Sequence, residues 1–178
     1  MKRDGKLMDM LTGYAAAHQH PFNIFVHMIG IPTIMLGVLI PLTWVGFEIN
    51  SFHFYLAHLV MAGFVLFYLT LDAIFAVVFA VVAWLMTILA AKLGAYPGNT
   101  GWYIAAGCFF GGYAAQFIGH AVEKSMPVLV KHPLQANLAA PFFTVVELFK
   151  LAGLRSELFD AVQERIASER QGNVGQTV

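Results

Sequence analysis

The stretch from His53 to Lys92, HFYLAHLVMAGFVLFYLTLDAIFAVVFAVVAWLMTILAAK, decides the fold: it is apolar except at His53, His58, Thr70, Asp72, Thr87 and Lys92. A helix that crosses a bilayer needs about 20 mostly apolar residues. This run is too long for one crossing and divides near Leu71-Asp72 into a helical hairpin of two spans, 53–71 and 73–92. Upstream, residues 22–46 form another apolar stretch, with Pro32 and Pro41 inside it as expected kinks. Downstream, the loop signal Tyr96-Pro97-Gly98-Asn99-Thr100-Gly101 leads into a fourth stretch, 102–122, whose Gly107, Gly111, Gly112, Ala114, Ala115 and Gly119 permit close helix packing. Composition agrees, with 59 % hydrophobic residues, 11 % charged and a mean hydropathy of +0.71, outside the range of an ordinary soluble domain. The expected fold class is all-α: an integral membrane bundle of about four transmembrane helices, with N-terminal and C-terminal interfacial helices.

The flanking segments belong to the same single domain, residues 1–178, whose four-span core covers 21–122. Residues 6–17 place Leu7, Met10, Leu11 and Tyr14 on one side of a short helix, which fits a segment lying on the membrane surface. The turn His18-Gln19-His20-Pro21 then redirects the chain, with Pro21 suited to the first turn of the next helix. Glu48-Ile49-Asn50-Ser51 reads as a short polar turn. Residues 133–154 are interrupted by Pro141, Glu147 and Lys150 and read as an interfacial or re-entrant helix, so that 123–168 carries interfacial helices. Residues 169–178 are an expected disordered tail. The charged N-terminus lacks the apolar core and cleavage site of a signal peptide, so the first span is expected to stay in the mature protein. The single cysteine, Cys108, leaves no disulfide framework and no Cys-based metal site, and reads as a small buried apolar residue.

Four spans put both termini on one side. Lys2, Arg3, Lys6, Lys124, Lys131, Lys150, Arg155, Arg165 and Arg170 fall there, against Lys92 near the other face, and the positive-inside rule makes that side cytoplasmic. The same ordering sorts the seven histidines by depth. His18, His20, His27, His120 and His132 lie at the cytoplasmic end, whereas His53 and His58 begin span two about 30 Å away and cannot join them. For His53, His58 and His132, none of which has a partner at ligand spacing, an ordinary hydrogen-bonded role is preferred.

Helical spacing narrows the rest. His20, Asn23 and His27 stand at i, i+3, i+7 on span one, and Gln116, His120 and Glu123 at i, i+4, i+7 on span four. Facing stripes would converge imidazoles and a carboxylate on one point, a set preferred by non-haem Fe(II) and acceptable to Zn(II) or Mn(II). A metal is the favoured reading for His18, His27 and His120 together. His20, before a proline, also suits a helix cap, and Glu123 also suits a solvated helix end. Asp72 reads more readily as an N-cap than as a site residue.

Tyr14 to His18, Asn23, His27 and Gly30-Ile31-Pro32, followed downstream by Gln116-Phe117-Ile118-Gly119-His120, Glu123-Lys124 and Pro127, resemble the two signature blocks of the 2-hydroxy-fatty-acid dioxygenase family. That family was long catalogued as a domain of unknown function and includes the yeast enzyme of phytosphingosine breakdown. The resemblance runs from about Leu7 to Leu151. It implies an Fe(II)-dependent α-oxidation, in which a 2-hydroxy fatty acid and O2 react and the chain leaves one carbon shorter. The matching positions are His18, Asn23, His27 and His120, with Glu123 joining them; His20 stands where the family varies. The implied catalytic set is His18, Asn23, His27, His120 and Glu123, and the implied iron ligands are drawn from His18, His20, His27, His120 and Glu123. Phe64, Phe67, Tyr68, Phe109, Phe110 and Tyr113 are candidate walls for the acyl tail.

The partners so implied are the fatty acid, O2 and the lipid bilayer of a bacterial inner membrane or the endoplasmic reticulum, with the metal and both termini facing the cytoplasm. No nucleotide loop or nicotinamide fingerprint is present, and nothing points to nucleic acid. The main alternative is a histidine-rich membrane metal or proton carrier, or a metal-binding structural protein without turnover. A carrier needs ionisable residues along a mid-membrane path, and spans one, three and four are nearly free of them at their centres.

Overall fold

The computed structural model describes residues 3–131 and 133–174; His132 lies outside the described residues. Eight helices and one short hairpin follow in the order α1 (Arg3–Ala16), α2 (Pro21–Leu42), β1 (Gly46–Ile49), β2 (Phe52–Tyr55), α3 (Leu56–Leu69), α4 (Ala73–Gly94), α5 (Thr100–Glu123), α6 (Val128–Lys131), α7 (Pro133–Leu151) and α8 (Ser156–Val174). The described residues are all-α apart from the hairpin.

Among the described residues two helices, α2 and α4, are long and apolar enough to cross a membrane, and α7 with α8 makes a third such element if that pair, bent by 116°, counts as one. The expected four spans are therefore met only in part. Residues 53–55, assigned above to the second span, pair instead with β1, in register Glu48↔His53 and Phe47↔Phe54. Asn50 and Ser51 both take positive φ, 47° and 64°, which gives a two-residue turn whose twist suits adjacent strands. α3 is left with 14 residues, about 21 Å of helix. α5 has the length, 24 residues, but its glycines, Gln116 and His120 dilute its apolarity. Pro32 and Pro41 both sit inside α2, and the helix runs through them.

α2 and α5 pack antiparallel along a seam of small residues. A Cβ on Gly37 would lie 2.6 Å from Phe109 N and 2.8 Å from Ala105 O, so only hydrogen lets the two backbones meet there. Gly119 lies against the Asn23 side chain in the same way. This contact sets the depth at which His27 and His120 face each other.

α1, α7 and α8 close the end of the bundle that holds these histidines. The apolar face of α1 is covered by protein: Leu7, Leu11 and Tyr14 are buried against α7 and α8, and Asp9 pairs with Arg165 of α8 at 2.6 Å. α7 buries Phe142, Phe143, Val145 and Val146, making it part of the core. Asp72 caps α4 by accepting from Ile74 N and Phe75 N, and its other oxygen holds Arg155 at 2.7 Å. The expected N-cap is what forms. α8 continues to Val174, past the predicted start of a disordered tail; 175–178 lie outside the described residues. Cys108 is half-buried.

Candidate metal centre

Three histidines from three segments meet. His18 follows the end of α1, His27 stands on the second turn of α2, and His120 on the last turn of α5. All three are buried, at 3 %, 2 % and 4 % exposure. Their ring centroids are 4.4 Å apart for His18–His27 and 4.9 Å for each pair with His120. One ligand nitrogen from each lies within 4.8 Å of the other two.

The hydrogen bonds decide which nitrogen that is. His18 Nδ1 is 2.8 Å from the Tyr14 carbonyl and His27 Nδ1 is 2.9 Å from the Asn23 carbonyl. A carbonyl only accepts, so both Nδ1 atoms carry the proton and both Nε2 atoms keep their lone pairs. His120 Nδ1 is 2.9 Å from Ser125 Oγ, and Ser125 Oγ donates to Glu123 Oε2 at 3.4 Å, so this ring too is protonated at Nδ1. Three imidazoles in the same tautomer leave Nε2 as the basic nitrogen each ring can offer. The buried Nε2 of His18 has no partner among the described residues. Burial lowers the His18 pKa to about 4, against the smaller opposing pull of the Tyr14 carbonyl; the ring is neutral at pH 7, the form that binds a cation.

Local structure aims each ring. His18 stacks on Tyr14, centroids 4.1 Å apart and nearly parallel at 8°, and Phe143 of α7 packs against Tyr14 from α7. α5 ends on Lys124 in the left-handed region, φ 58°, after which Ser125 N returns to the His120 carbonyl at 3.1 Å. This αL turn folds Ser125 back onto the His120 ring.

Glu123 is not part of the three-nitrogen group. Its Oε1 accepts from Gln19 N at 2.6 Å and His20 N at 3.0 Å, and its Oε2 accepts from Asn23 Nδ2. The carboxylate thus clamps the turn between α1 and α2 to the end of α5. Asn23 is fully buried, and its Oδ1 has no partner among the described residues. His20 is exposed and caps α2, its Nδ1 accepting from Phe22 N at 3.2 Å. At the far end of the bundle His53 pairs with Glu48 at 3.2 Å, and His58 Nδ1 accepts from Tyr55 N. Both have the local roles expected for them.

The three imidazoles line one end of a cavity of about 260 Å³. Ile31, Ile34 and Val38 continue the His27 stripe along α2, and Phe117, Gln116 and Tyr113 continue the His120 stripe along α5. From His27 to Val38 the wall rises about 16 Å. Of the six aromatic residues expected to wall the tail, Phe64 and Tyr113 line this space. Tyr68 instead packs on Phe79 and Phe142 in the core. The aliphatic stripe of α2 was the missed signal: Ile31, Ile34 and Val38 recur at helical spacing behind His27.

No curated protein and no solved structure matches the chain significantly. A family model does, over residues 5–151, which hold all three histidines, the Glu123 clamp and every wall of the cavity. The chain belongs to the family described as 2-hydroxy-palmitic acid dioxygenase Mpo1-like.

Proposed function

We propose that this chain is an Fe(II)-dependent dioxygenase that removes one carbon from 2-hydroxy fatty acids by α-oxidation, working at the cytoplasmic face of a membrane. The observation that carries this reading is the meeting of three Nε2 lone pairs, each fixed by a hydrogen bond at the opposite ring nitrogen, at one end of an apolar cavity. Three neutral imidazoles fit a divalent first-row metal, and the orphaned His18 Nε2 is what such a site looks like from the protein side. His18, His27 and His120 would hold the iron, which when bound would supply the activation of O2.

The chain's own residues do the rest. Tyr14, Asn23 and Ser125 fix the tautomers and ring orientations, a role that raises ligand basicity. Glu123 and Asn23 hold the α1–α2 turn so that His18 stays opposite His120. Ile31, Ile34, Val38 and Phe117 would receive the acyl tail and exclude water, leaving the polar end at the histidines.

The lipid setting rests on the outer surface. Leu59 and Leu66 of α3 and Val77, Val81 and Leu85 of α4 are all more than half exposed, and helices apolar on every side suit a bilayer. In this reading α2, α3, α4 and α5 form a four-span bundle. Lys6, Lys124, Lys150, Arg155 and Arg165 gather at the histidine end and Lys92 stands at the other, which favours a cytoplasmic metal site.

The test is elemental analysis of detergent-purified protein, followed by O2 uptake with a 2-hydroxy fatty acid. Stoichiometric iron that disappears in His120→Ala, with O2 consumed only when the hydroxy acid is added, supports the proposal. Protein that neither carries nor takes up Fe(II) refutes it, and iron binding without turnover supports a carrier or structural role instead.

A further inference from the structure

Most of the cavity wall is apolar, and two of its polar residues are committed to each other: the Tyr113 hydroxyl donates to Asn137 Oδ1 at 3.2 Å, and Asn137 Nδ2 donates to the Pro133 carbonyl at 2.8 Å. Gln116 differs. On this end of α5 both Tyr113 and His120 have hydrogen-bond partners, while among the described residues the Gln116 amide has none. It precedes His120 by one helical turn on the same face, so its amide lines the cavity just beyond the imidazoles.

A glycine on the facing helix fixes this placement. A Cβ on Gly30 would stand 3.3 Å from Gln116 Cγ and 3.7 Å from its Nε2, so the side chain lies across α2 one turn past His27. Gln116 therefore sits at the boundary between the three nitrogens and the apolar part of the cavity.

A neutral amide presents N–H donors and a carbonyl acceptor side by side. The polar end of a 2-hydroxy acid is its complement, since the carboxylate accepts and the neighbouring hydroxyl donates. An ordinary fatty acid offers the carboxylate alone and would leave the Gln116 carbonyl unpaired against apolar walls. Sites built around such a bond reject the analogue that lacks the group far more strongly than a hydrophobic pocket rejects a missing methylene.

Building on the dioxygenase reading, we infer that Gln116 is the specificity-determining residue for the 2-hydroxy-carboxylate group, its Nε2 donating to the carboxylate and its Oε1 accepting from the 2-hydroxyl. It binds and orients; it carries no proton and no metal.

The experiment is equilibrium binding of radiolabelled 2-hydroxyhexadecanoate and hexadecanoate to Fe(II)-loaded protein in detergent, under anaerobic conditions so that nothing turns over. The wild type is expected to prefer the hydroxy acid by about tenfold or more. Gln116→Leu is expected to keep its iron and lose that preference. Gln116→Glu, nearly the same shape, is expected to weaken both acids by placing a second negative charge beside the carboxylate. A Leu variant that keeps its iron and the wild-type preference overturns the assignment of Gln116 and leaves the dioxygenase reading standing. If Gln116→Leu loses its iron, the Glu variant decides, and unweakened binding there overturns the inference. Wild-type protein that binds neither acid refutes the dioxygenase reading and this inference with it.

Discussion

Replacing Glu123 separates two roles that the sequence leaves open, metal ligand and structural clamp. The carboxylate accepts three N–H donors from across the α1–α2 turn, Gln19 N, His20 N and Asn23 Nδ2. In Glu123→Ala, water reaches the two exposed amides and their loss costs about 0.5–1 kcal/mol in total. The Asn23 amide is fully buried and is left without its acceptor, which costs about 1–3 kcal/mol. The sum, about 1.5–4 kcal/mol, corresponds to a fall in melting temperature of roughly 3–16 °C for a chain of this size. Because the clamp also positions His18 against His120, Fe(II) affinity is expected to drop about 10–100-fold while stoichiometric binding survives at saturating metal. Glu123→Gln is expected to be milder, since its amide oxygen still accepts from Gln19 N and His20 N. Thermal melting and anaerobic Fe(II) titration of the two variants in detergent read both effects. If both lose stoichiometric iron alike with an unchanged melting temperature, Glu123 is a ligand and the clamp argument is wrong.

The helix seam is tested by Gly37→Leu. Its Cβ alone would come within 2.6 Å of the Phe109 backbone, so α2 and α5 must part, and misfolding or a stability loss of more than about 3 kcal/mol is expected in a thermal melt. Asp72→Ala removes the α4 cap and the Arg155 partner and is expected to lower the melting temperature, with about 1 kcal/mol from the cap, while iron content stays at wild-type level; loss of iron would restore a site role to Asp72. Acid should destabilise the metal-free protein through His18. Its folded pKa of about 4 lies below the unfolded value of 6.5, so the unfolded state binds more protons between them and stability falls as pH drops from 6.5 towards 4. A melting temperature of metal-free protein that stays flat across that window refutes the buried neutral imidazole.

The legible part of the site was set by short-range periodicity. Depth along the spans excluded His53 and His58, and helical spacing paired His27 with Asn23 and His120 with Gln116. Glu123 and His20 shared those stripes, yet neither joins the three nitrogens. Spacing reports which face a residue occupies at a regular helix, and both residues sit where the helix stops: His20 is the N-cap of α2, and Glu123 precedes the left-handed Lys124. At such ends the free backbone N–H groups of the incoming turn compete for any side-chain acceptor, and here they take the Glu123 carboxylate. The hairpin was hidden for a related reason. Phe52, His53, Phe54 and Tyr55 are as apolar as a helix start, and only the positive φ of Asn50 and Ser51 redirects them into pairing. The burial of α1 and α7 depended on a contact between distant segments, which no local pattern encodes.

The tautomers suggest how such a centre is assembled from local parts. His18 and His27 each direct Nδ1 to the carbonyl four residues earlier, Tyr14 and Asn23, so a local contact sets the protonation and the aim of each ring. His120 achieves the same result through Ser125, which the αL turn at Lys124 folds back by five residues. Tertiary structure then brings the three nitrogens to one depth: the Gly37–Ala105 and Gly119–Asn23 contacts do so for His27 and His120, and the Glu123 clamp on Gln19 N and His20 N does so for His18. Ser125→Ala should therefore free the His120 ring to rotate and adopt either tautomer. Fe(II) affinity is expected to fall about tenfold, with little change in melting temperature because the removed hydrogen bond is only part-buried. Ser125→Thr, which keeps the hydroxyl, should restore binding. Equal Fe(II) affinity in the wild type and Ser125→Ala would show that the tautomer is set by the metal itself and not by the turn that follows α5.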